Sequence, residues 1–484
     1  MEKSSIKNKI FSGMFWKFGE RILAQLVSFV VSIVLARMLL PDEYGIVSIV
    51  LIFITIADVF VSSGFSSALI QKKDATDEDF STIFYCSLAV SILTYIVLYL
   101  VAPFIANFYN MPELTLVVRV FSVKLIISAY NSVQHAYVSR NMIFKRFFFS
   151  TLFGTLLSGI VGIILAYKGF GVWALVAQYF VNSIVDSLVL SFTIPWHPRL
   201  VFSKKSAKEL MGFGWKVLIA DLSGTFFDQL RSLIIGKIYT PADLAFYNKG
   251  KQIPSILTDN MSTTIMTVLF PAIANESDDK DKVKILARQS LRMMSFIIFP
   301  LMIGCAFIAK PLILTLLTSK WESSVIFMQI LCITSAISII GSTSLQVIKA
   351  VGRSDILLKL EFIKKPIYFA LLVIGAFISV FGIAVTGFIY TAIGSLINSK
   401  AMSKVIDYKV NEQIKDIAPS LLISLIMGIF IYAITLFNFS NNMLLLVIQV
   451  LVGIVIYIVL SIIFKIPEYK KIKSFFIERM KGVK

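Results

Sequence analysis

Eight basic residues stand inside stretches that are otherwise apolar enough to lie in lipid: Lys17, Arg21, Arg119, Lys124, Lys216, Arg231, Lys249 and Lys251. A charge at the centre of a spanning helix costs about 2.5 to 3.5 kcal/mol on the insertion scale. Bases at such positions are therefore kept either by snorkelling to the interface or by facing a watery cavity. Lys17, Lys216, Arg119 and Lys249 stand near predicted helix ends and fit either account. Arg21, Lys124 and Lys251 lie deeper, with Arg231 at the border, and point to a cavity. Lys17 and Arg21 are four residues apart, so they share a helix face and can reach one anion together. Ordered by depth, Lys17, Arg21 and Lys216 belong to the inner half of the membrane and Lys124 to its middle. Arg119, Arg231, Lys249 and Lys251 belong to the outer half. A series of this kind suits a mobile polyanion such as a pyrophosphate group, held at successive levels, and disfavours a neutral or cationic solute.

The embedded acids are Glu20, Asp58, Asp186, Asp221, Asp228 and Asp259. Glu20 adjoins Lys17 and Arg21 and reads as their counter-charge. Asp228 precedes Arg231 by three residues, the spacing of an intrahelical ion pair. Asp221 and Asp259 have no close partner in sequence. With Asp58 they are the candidates for coupling to a proton or sodium gradient, since burial raises a carboxylate's pKa toward the working range. His135 and His197 form no triad or metal site with their neighbours, and a core or interfacial place is expected for each. Cys86, Cys305 and Cys332 sit in apolar runs without a CxxC spacing, so they read as core fillers, and no metal site is expected. No Walker A, DxD or GxSxG pattern occurs, and no cofactor or ATP-driven step is expected.

The elements that must position these residues are membrane spans. With 57% hydrophobic and 15% charged residues in 484, and a mean hydropathy of +0.84, the chain cannot be a water-soluble globule. Apolar runs of spanning length recur along the whole chain without the alternating pattern of a membrane barrel, so the class is an all-α integral membrane protein. Fourteen spans are expected, near 12–38, 44–63, 81–108, 113–138, 147–168, 171–194, 210–238, 242–272, 286–309, 323–348, 356–378, 382–405, 417–437 and 442–464. Of the 46 Lys and Arg, this scheme leaves 33 on one side, 5 on the other and 8 within spans. The asymmetry predicts a multi-pass protein of the cytoplasmic membrane with both termini in the cytoplasm. It also accounts for the net charge of +18 without nucleic acid. The connections are too short to hold a soluble catalytic module, which disfavours a membrane glycosyltransferase or polymerase and any other enzyme.

The chain also repeats itself. Trp16-Lys17 and Pro41-Asp42-Glu43 return as Trp215-Lys216 and Pro241-Ala242-Asp243, at offsets of 199 and 200 residues. Six spans per copy, an even number, give two like-oriented lobes, 1–208 and 209–410, followed by two appended spans and a basic tail, 411–484.

Phe15-Trp16-Lys17-Phe18-Gly19-Glu20-Arg21, Leu35-Ala36-Arg37 with Pro41-Asp42-Glu43-Tyr44-Gly45, Gly64-Phe65-Ser66-Ser67-Ala68-Leu69-Ile70-Gln71, Gly171-Val172-Trp173-Ala174-Leu175 and Val268-Leu269-Phe270-Pro271-Ala272 carry a resemblance. The chain resembles the polysaccharide (Wzx-like, O-antigen or teichuronic type) flippases of the multidrug, oligosaccharidyl-lipid and polysaccharide exporter superfamily. The likeness covers nearly the whole chain and is strongest over the first 275 residues. It implies a V-shaped, MATE-like pair of lobes. It further implies ion-coupled alternating access that moves an undecaprenyl-pyrophosphate-linked oligosaccharide from the cytoplasmic to the outer leaflet. Implied partners are that lipid-linked oligosaccharide, membrane lipids, and a polysaccharide polymerase or other assembly proteins. Family knowledge places cations in the cavity, which matches Arg21, Lys124 and Lys251. A lipid II flippase shares the same physics. A MATE-type drug/cation antiporter would want a more acidic cavity.

Overall fold

The computed structural model describes residues 19, 23–264, 269–437, 439 and 441–481, with the side chains of 261–264 and 475–481 outside the description. Among the described residues every regular element is helical. The chain forms two compact units, Met1–Ala245 and Phe246–Lys484.

The first unit holds α1 (Leu23–Met38), α2 (Pro41–Ser62), α3 (Phe65–Gln71), α4 (Asp77–Tyr109), α5 (Leu114–Ser122), α6 (Lys124–Arg140), α7 (Lys145–Tyr167), α8 (Val172–Thr193) and α9 (Lys204–Ile238). Between lipid-covered helices close backbone approach does the work that apolar burial does in water, so small residues mark the seams. On α7, Gly154, Ser158 and Gly162 recur every four residues and are buried. Gly162 lies against Gln178 and Gly154 against Asn182, both on α8, while Gly159 faces Val31 of α1. Where the linkers gather at one end, Phe65, Leu69, Phe80, Val133, Trp196 and Leu210 form a buried cluster that ties α3, α4, α6 and α9 together.

The second unit contains most of α10 (Pro241–Thr264), then α11 (Phe270–Ala274), α12 (Lys280–Phe307), α13 (Ala309–Leu317), a 3-10 turn at Ser319–Trp321, α14 (Ser324–Ala350), α15 (Ser354–Ile378), α16 (Val380–Ile406), α17 (Val410–Thr435), α18 (Asn442–Ile463) and α19 (Pro467–Lys481). The seam rule holds here too. Gly341 of α14 meets Ser395 of α16, Gly375 of α15 meets Gly382 of α16, and Gly428 of α17 meets Phe307 of α12.

The two stretches that the sequence pairs as a repeat begin with the same capping device. At the start of α2, Glu43 accepts the Leu40 N–H at 2.7 Å, and at the start of α10, Asp243 accepts the Thr240 N–H at 3.1 Å. Each carboxylate stands at the third helical position behind Pro41 or Pro241, where it satisfies an orphan donor and complements the helix dipole.

Four features differ from the sequence expectations. The sequence boundary at 208/209 separates the copies of the repeat, whereas the compact units divide at 245/246, because α9 packs on α2, α3 and α4. That packing rests on close backbone approach: a Cβ at Gly64 would strike the Gly214 carbonyl of α9, and just beyond α9 one at Gly45 would strike the Pro241 carbonyl where α10 begins. The expected span 242–272 is two helices, α10 and α11. The connection expected after 309 contains α13 and the 3-10 turn, and the expected basic tail is the helix α19.

Among the described residues, ten helices are long and apolar enough to cross a membrane, and Leu23–Met38 is a shorter apolar helix. The long helices α9, α10 and α15 fall outside that set. Their charges explain it: Lys216, Asp221, Asp228 and Arg231 on α9, Lys249 and Lys251 on α10, and Glu361, Lys364 and Lys365 on α15.

Candidate functional site

The polar chemistry of the first unit runs along one face of α6. Lys124, Ser128, Asn131 and His135 are spaced four, three and four residues apart, which sets them in a single stripe about 16 Å long. Lys124 opens the helix. It follows a tight turn at Val123, whose N–H bonds the Val120 carbonyl at 3.1 Å, inside a segment that is otherwise one span from Leu114 to Arg140. A tightened turn within a span marks a place where the helix can bend. Lys124 is half-buried and has no partner among the described residues.

Each further step of the stripe is met by a neighbouring helix. Asp58 of α2 accepts a short hydrogen bond from the Ser128 hydroxyl, and its other oxygen accepts from Ser62 at 3.4 Å. Asn131 donates to the Ser183 carbonyl of α8 at 3.2 Å. His135 Nε2 lies 2.9 Å from Asp186 Oδ2 of α8, with the His135 ring edge-on to Phe147 of α7. Asn131 Oδ1 and Asp186 Oδ1 are buried and without partners among the described residues. Buried lone pairs of this kind mark room for a proton or a water, because leaving them bare costs about 1 to 3 kcal/mol each.

Other predicted residues fall elsewhere. Lys17 and Arg21, with Glu20, lie outside the described residues. In the first unit, Lys216 and Asp221 are exposed on α9, and Arg231 is half-buried on the same helix. Arg119 of α5 donates to the Tyr99 carbonyl at 3.2 Å and caps the Tyr99 ring at 4.3 Å, a placement that suits a cation riding at an apolar boundary. In the second unit, Lys251 is exposed on α10, as is Asp259, whereas Lys249 is half-buried. Lys249 Nζ sits 3.4 Å from Gln252 Oε1 and 5.6 Å from the Trp321 ring. The structure thus gathers Lys124 and Asp58 into one polar face and distributes Arg119, Lys216, Arg231, Lys249 and Lys251 over both units.

Two features escaped the sequence reading. His135 was expected to form no triad or metal site and to take a core or interfacial place, and α6 and α8 bring it to Asp186, 51 residues away. Lys364 was not among the embedded bases named from the sequence, yet it stands well inside α15, is 6% exposed, and bonds Glu361 at 2.8 Å. The Glu361/Lys364 spacing of three was the available signal.

A bundle of long apolar helices with small-residue seams is the architecture of an integral membrane protein, and comparison with solved structures gives its fold. The structure is similar to the lipid II flippase MurJ in an inward closed conformation, with a TM-score of 0.74 and 18% identity over 94% of this chain and 98% of that one. It is also similar to an inward-facing multidrug resistance MATE family transporter, with a TM-score of 0.62 and 15% identity over 81% of this chain and all of that one. Residues 34–326 match the family described as polysaccharide biosynthesis protein, and the chain belongs to that family. Its relatives include the succinoglycan biosynthesis transport protein ExoT of Rhizobium meliloti, 24% identical over 68% of this chain and 67% of that protein. The teichuronic acid biosynthesis protein TuaB of Bacillus subtilis is 25% identical over 73% of each. The lipopolysaccharide biosynthesis protein WzxC of Escherichia coli is 21% identical over 77% of this chain and 76% of its own. The chain is a multi-pass membrane protein of a polysaccharide-export transporter family, not an enzyme.

Proposed function

We propose that this protein flips an undecaprenyl-pyrophosphate-linked oligosaccharide from the cytoplasmic to the outer leaflet for cell-surface polysaccharide assembly. It does so by ion-coupled alternating access. The proposal includes fourteen spans, arranged as two six-helix lobes and two appended helices, with both termini in the cytoplasm. Counting α1, α9, α10 and α15 with the ten most apolar helices supports that number.

The observation that carries the reading is Lys124, a half-buried base with no counter-charge among the described residues, at the head of a polar stripe on α6. An unneutralised ammonium at membrane depth favours a phosphorylated headgroup over a cation. Arg21, Lys216, Arg231, Lys249 and Lys251 serve as its further levels, with Lys17 at the inner entrance. Asp58, bonded by Ser128 and Ser62 on the same face, is the best-supported of the coupling carboxylates, ahead of Asp221 and Asp259. Polymerase and other assembly proteins are the proposed partners downstream.

Lys124→Ala and Lys251→Ala should abolish surface glycan while the protein still inserts, read by glycan blotting alongside membrane fractionation. Wild-type export after neutralising every base named here would end the proposal. The fold likeness to MurJ favours lipid II as the second cargo. Depletion separates the two: loss of one surface polymer supports the first reading, and lysis supports the second.

A further inference from the structure

At the end of α18 the chain makes a fixed corner and enters a short amphipathic helix. Ile466 N–H bonds the Ser461 carbonyl at 3.0 Å and Lys465 N–H bonds the Ile462 carbonyl at 3.1 Å, with Lys465 itself left-handed at φ 52°. Pro467 then starts α19. Ile466, Tyr469 and Ile472 turn inward onto Phe296, Ile423, Tyr457 and Leu460. Lys465, Lys470, Lys471 and Lys473 turn outward and are exposed.

Beside this corner is a cavity of about 470 Å³, walled by Pro419, Leu422, Ile423, Ile426, Phe464 and Ile466. Its polar wall is already neutral. Glu468 pairs with Arg292 at 2.9 Å, and Asp416 pairs with Arg288 at 2.7 Å while accepting from the Tyr408 hydroxyl at 2.6 Å. Those acids are taken up by arginines, so among the described residues Lys465, between the lining residues Phe464 and Ile466, and the exposed Lys470, Lys471 and Lys473 of α19 have no ion-pair partner where the last span meets the membrane surface.

The left-handed Lys465 fixes the corner: glycine is the natural occupant of such a position, and a lysine there sets a cationic side chain between the lining residues Phe464 and Ile466.

We propose that the α18–α19 corner binds an anionic glycerophospholipid of the surrounding leaflet. An acyl chain enters the cavity beside Leu422 and Phe464, and the phosphate is held by Lys465 with Lys470, Lys471 and Lys473. The match is one of charge and solvent: an ammonium cluster directly beyond a membrane span attracts acidic headgroups, and an apolar pocket takes hydrocarbon rather than a free ion. This site is separate from the cargo site and stands whether or not the cargo reading holds.

The test uses the full-length protein in nanodiscs and detergent, with bound lipid counted by native mass spectrometry and stability read by thermal melting. Phosphatidylglycerol should be retained and should raise the melting temperature; phosphatidylcholine and inorganic phosphate should do neither. Each lysine removed should weaken phosphatidylglycerol binding roughly fivefold, with weaker binding in high salt. Lys465→Gly is the decisive variant, because it relieves backbone strain: it should melt at or above the wild-type temperature without lipid, yet lose the phosphatidylglycerol shift. Leu422→Trp, which narrows the pocket mouth from an exposed position, should weaken lipid retention with the lysines intact. Equal retention of phosphatidylcholine, full competition by inorganic phosphate, or wild-type binding in Lys465→Gly would overturn the proposal.

Discussion

His135 on α6 and Asp186 on α8 face each other across a helix seam with Nε2 and Oδ2 2.9 Å apart. An ionisable pair inside a span is a common element of ion and proton paths. Seven residues along the same face, Ser128 bonds Asp58, so titratable groups stand at two levels of one stripe.

If protons drive transport through this stripe, His135→Gln and Asp186→Asn should each lower glycan export on the order of tenfold, the scale of a 1 to 3 kcal/mol coupling. They should also flatten its response to external pH. The check is export, or flipping in proteoliposomes, across a pH series at fixed sodium. An unchanged pH profile in both variants would remove the pair from the coupling path.

Gly64 caps α3 at φ 78°, with the Gly214 carbonyl where a side chain would go. Gly64→Ala should destabilise the first unit by about 1 to 2 kcal/mol from the left-handed backbone alone, with the clash adding to it. Thermal melting in detergent and the yield of inserted protein report the loss. Melting like that of the wild type would mean that α3 and α9 separate without cost.

Asp416 is nearly buried and holds Arg288, Arg292 and Tyr408 together. Asp416→Ala should cost about 2 kcal/mol, less than a fully enclosed pair, because both arginines keep contact with water. Tyr408→Phe removes one hydrogen bond and should cost about 1 kcal/mol. Melting of single and double variants should show the two effects to be non-additive, since they share one carboxylate.

Lys72 lies between two spans and bonds Asp79 at 3.0 Å and Glu209 at 3.2 Å. Burial pulls its pKa down, and the two carboxylates more than offset this, leaving it raised. A raised folded pKa means that the stabilisation is complete below the ordinary lysine value of about 10.4 and is lost as pH climbs through the folded value. Stability should therefore be level from neutral pH to about 10 with respect to this group, then fall by about 1 kcal/mol. Lys72→Met should be less stable at neutral pH and lack that step.

The membrane class, the all-helical fold and the positions of most spans were legible in the sequence because hydropathy and charge are local quantities. Pro41 with Glu43 and Pro241 with Asp243 announce helix starts that local capping physics produces wherever the chain goes. The embedded bases were legible for the same reason: a lysine in an apolar run is costly whatever it touches. Only the tertiary structure decided which of those charges acquire neighbours. His135 meets Asp186 because small residues on α7 draw α8 close and α6 packs beside it. Lys364 is buried beside Glu361 by the packing of α15, and α9 joins the first unit because Gly64 and Gly214 allow their backbones to touch. The α18–α19 corner depends on the same kind of contact: Arg292 and Glu468 are 176 residues apart in sequence and 2.9 Å apart in space. Periodicity reports which side of a helix is apolar, but contact partners depend on how closely backbones approach, and that is set jointly by residues far apart in the chain.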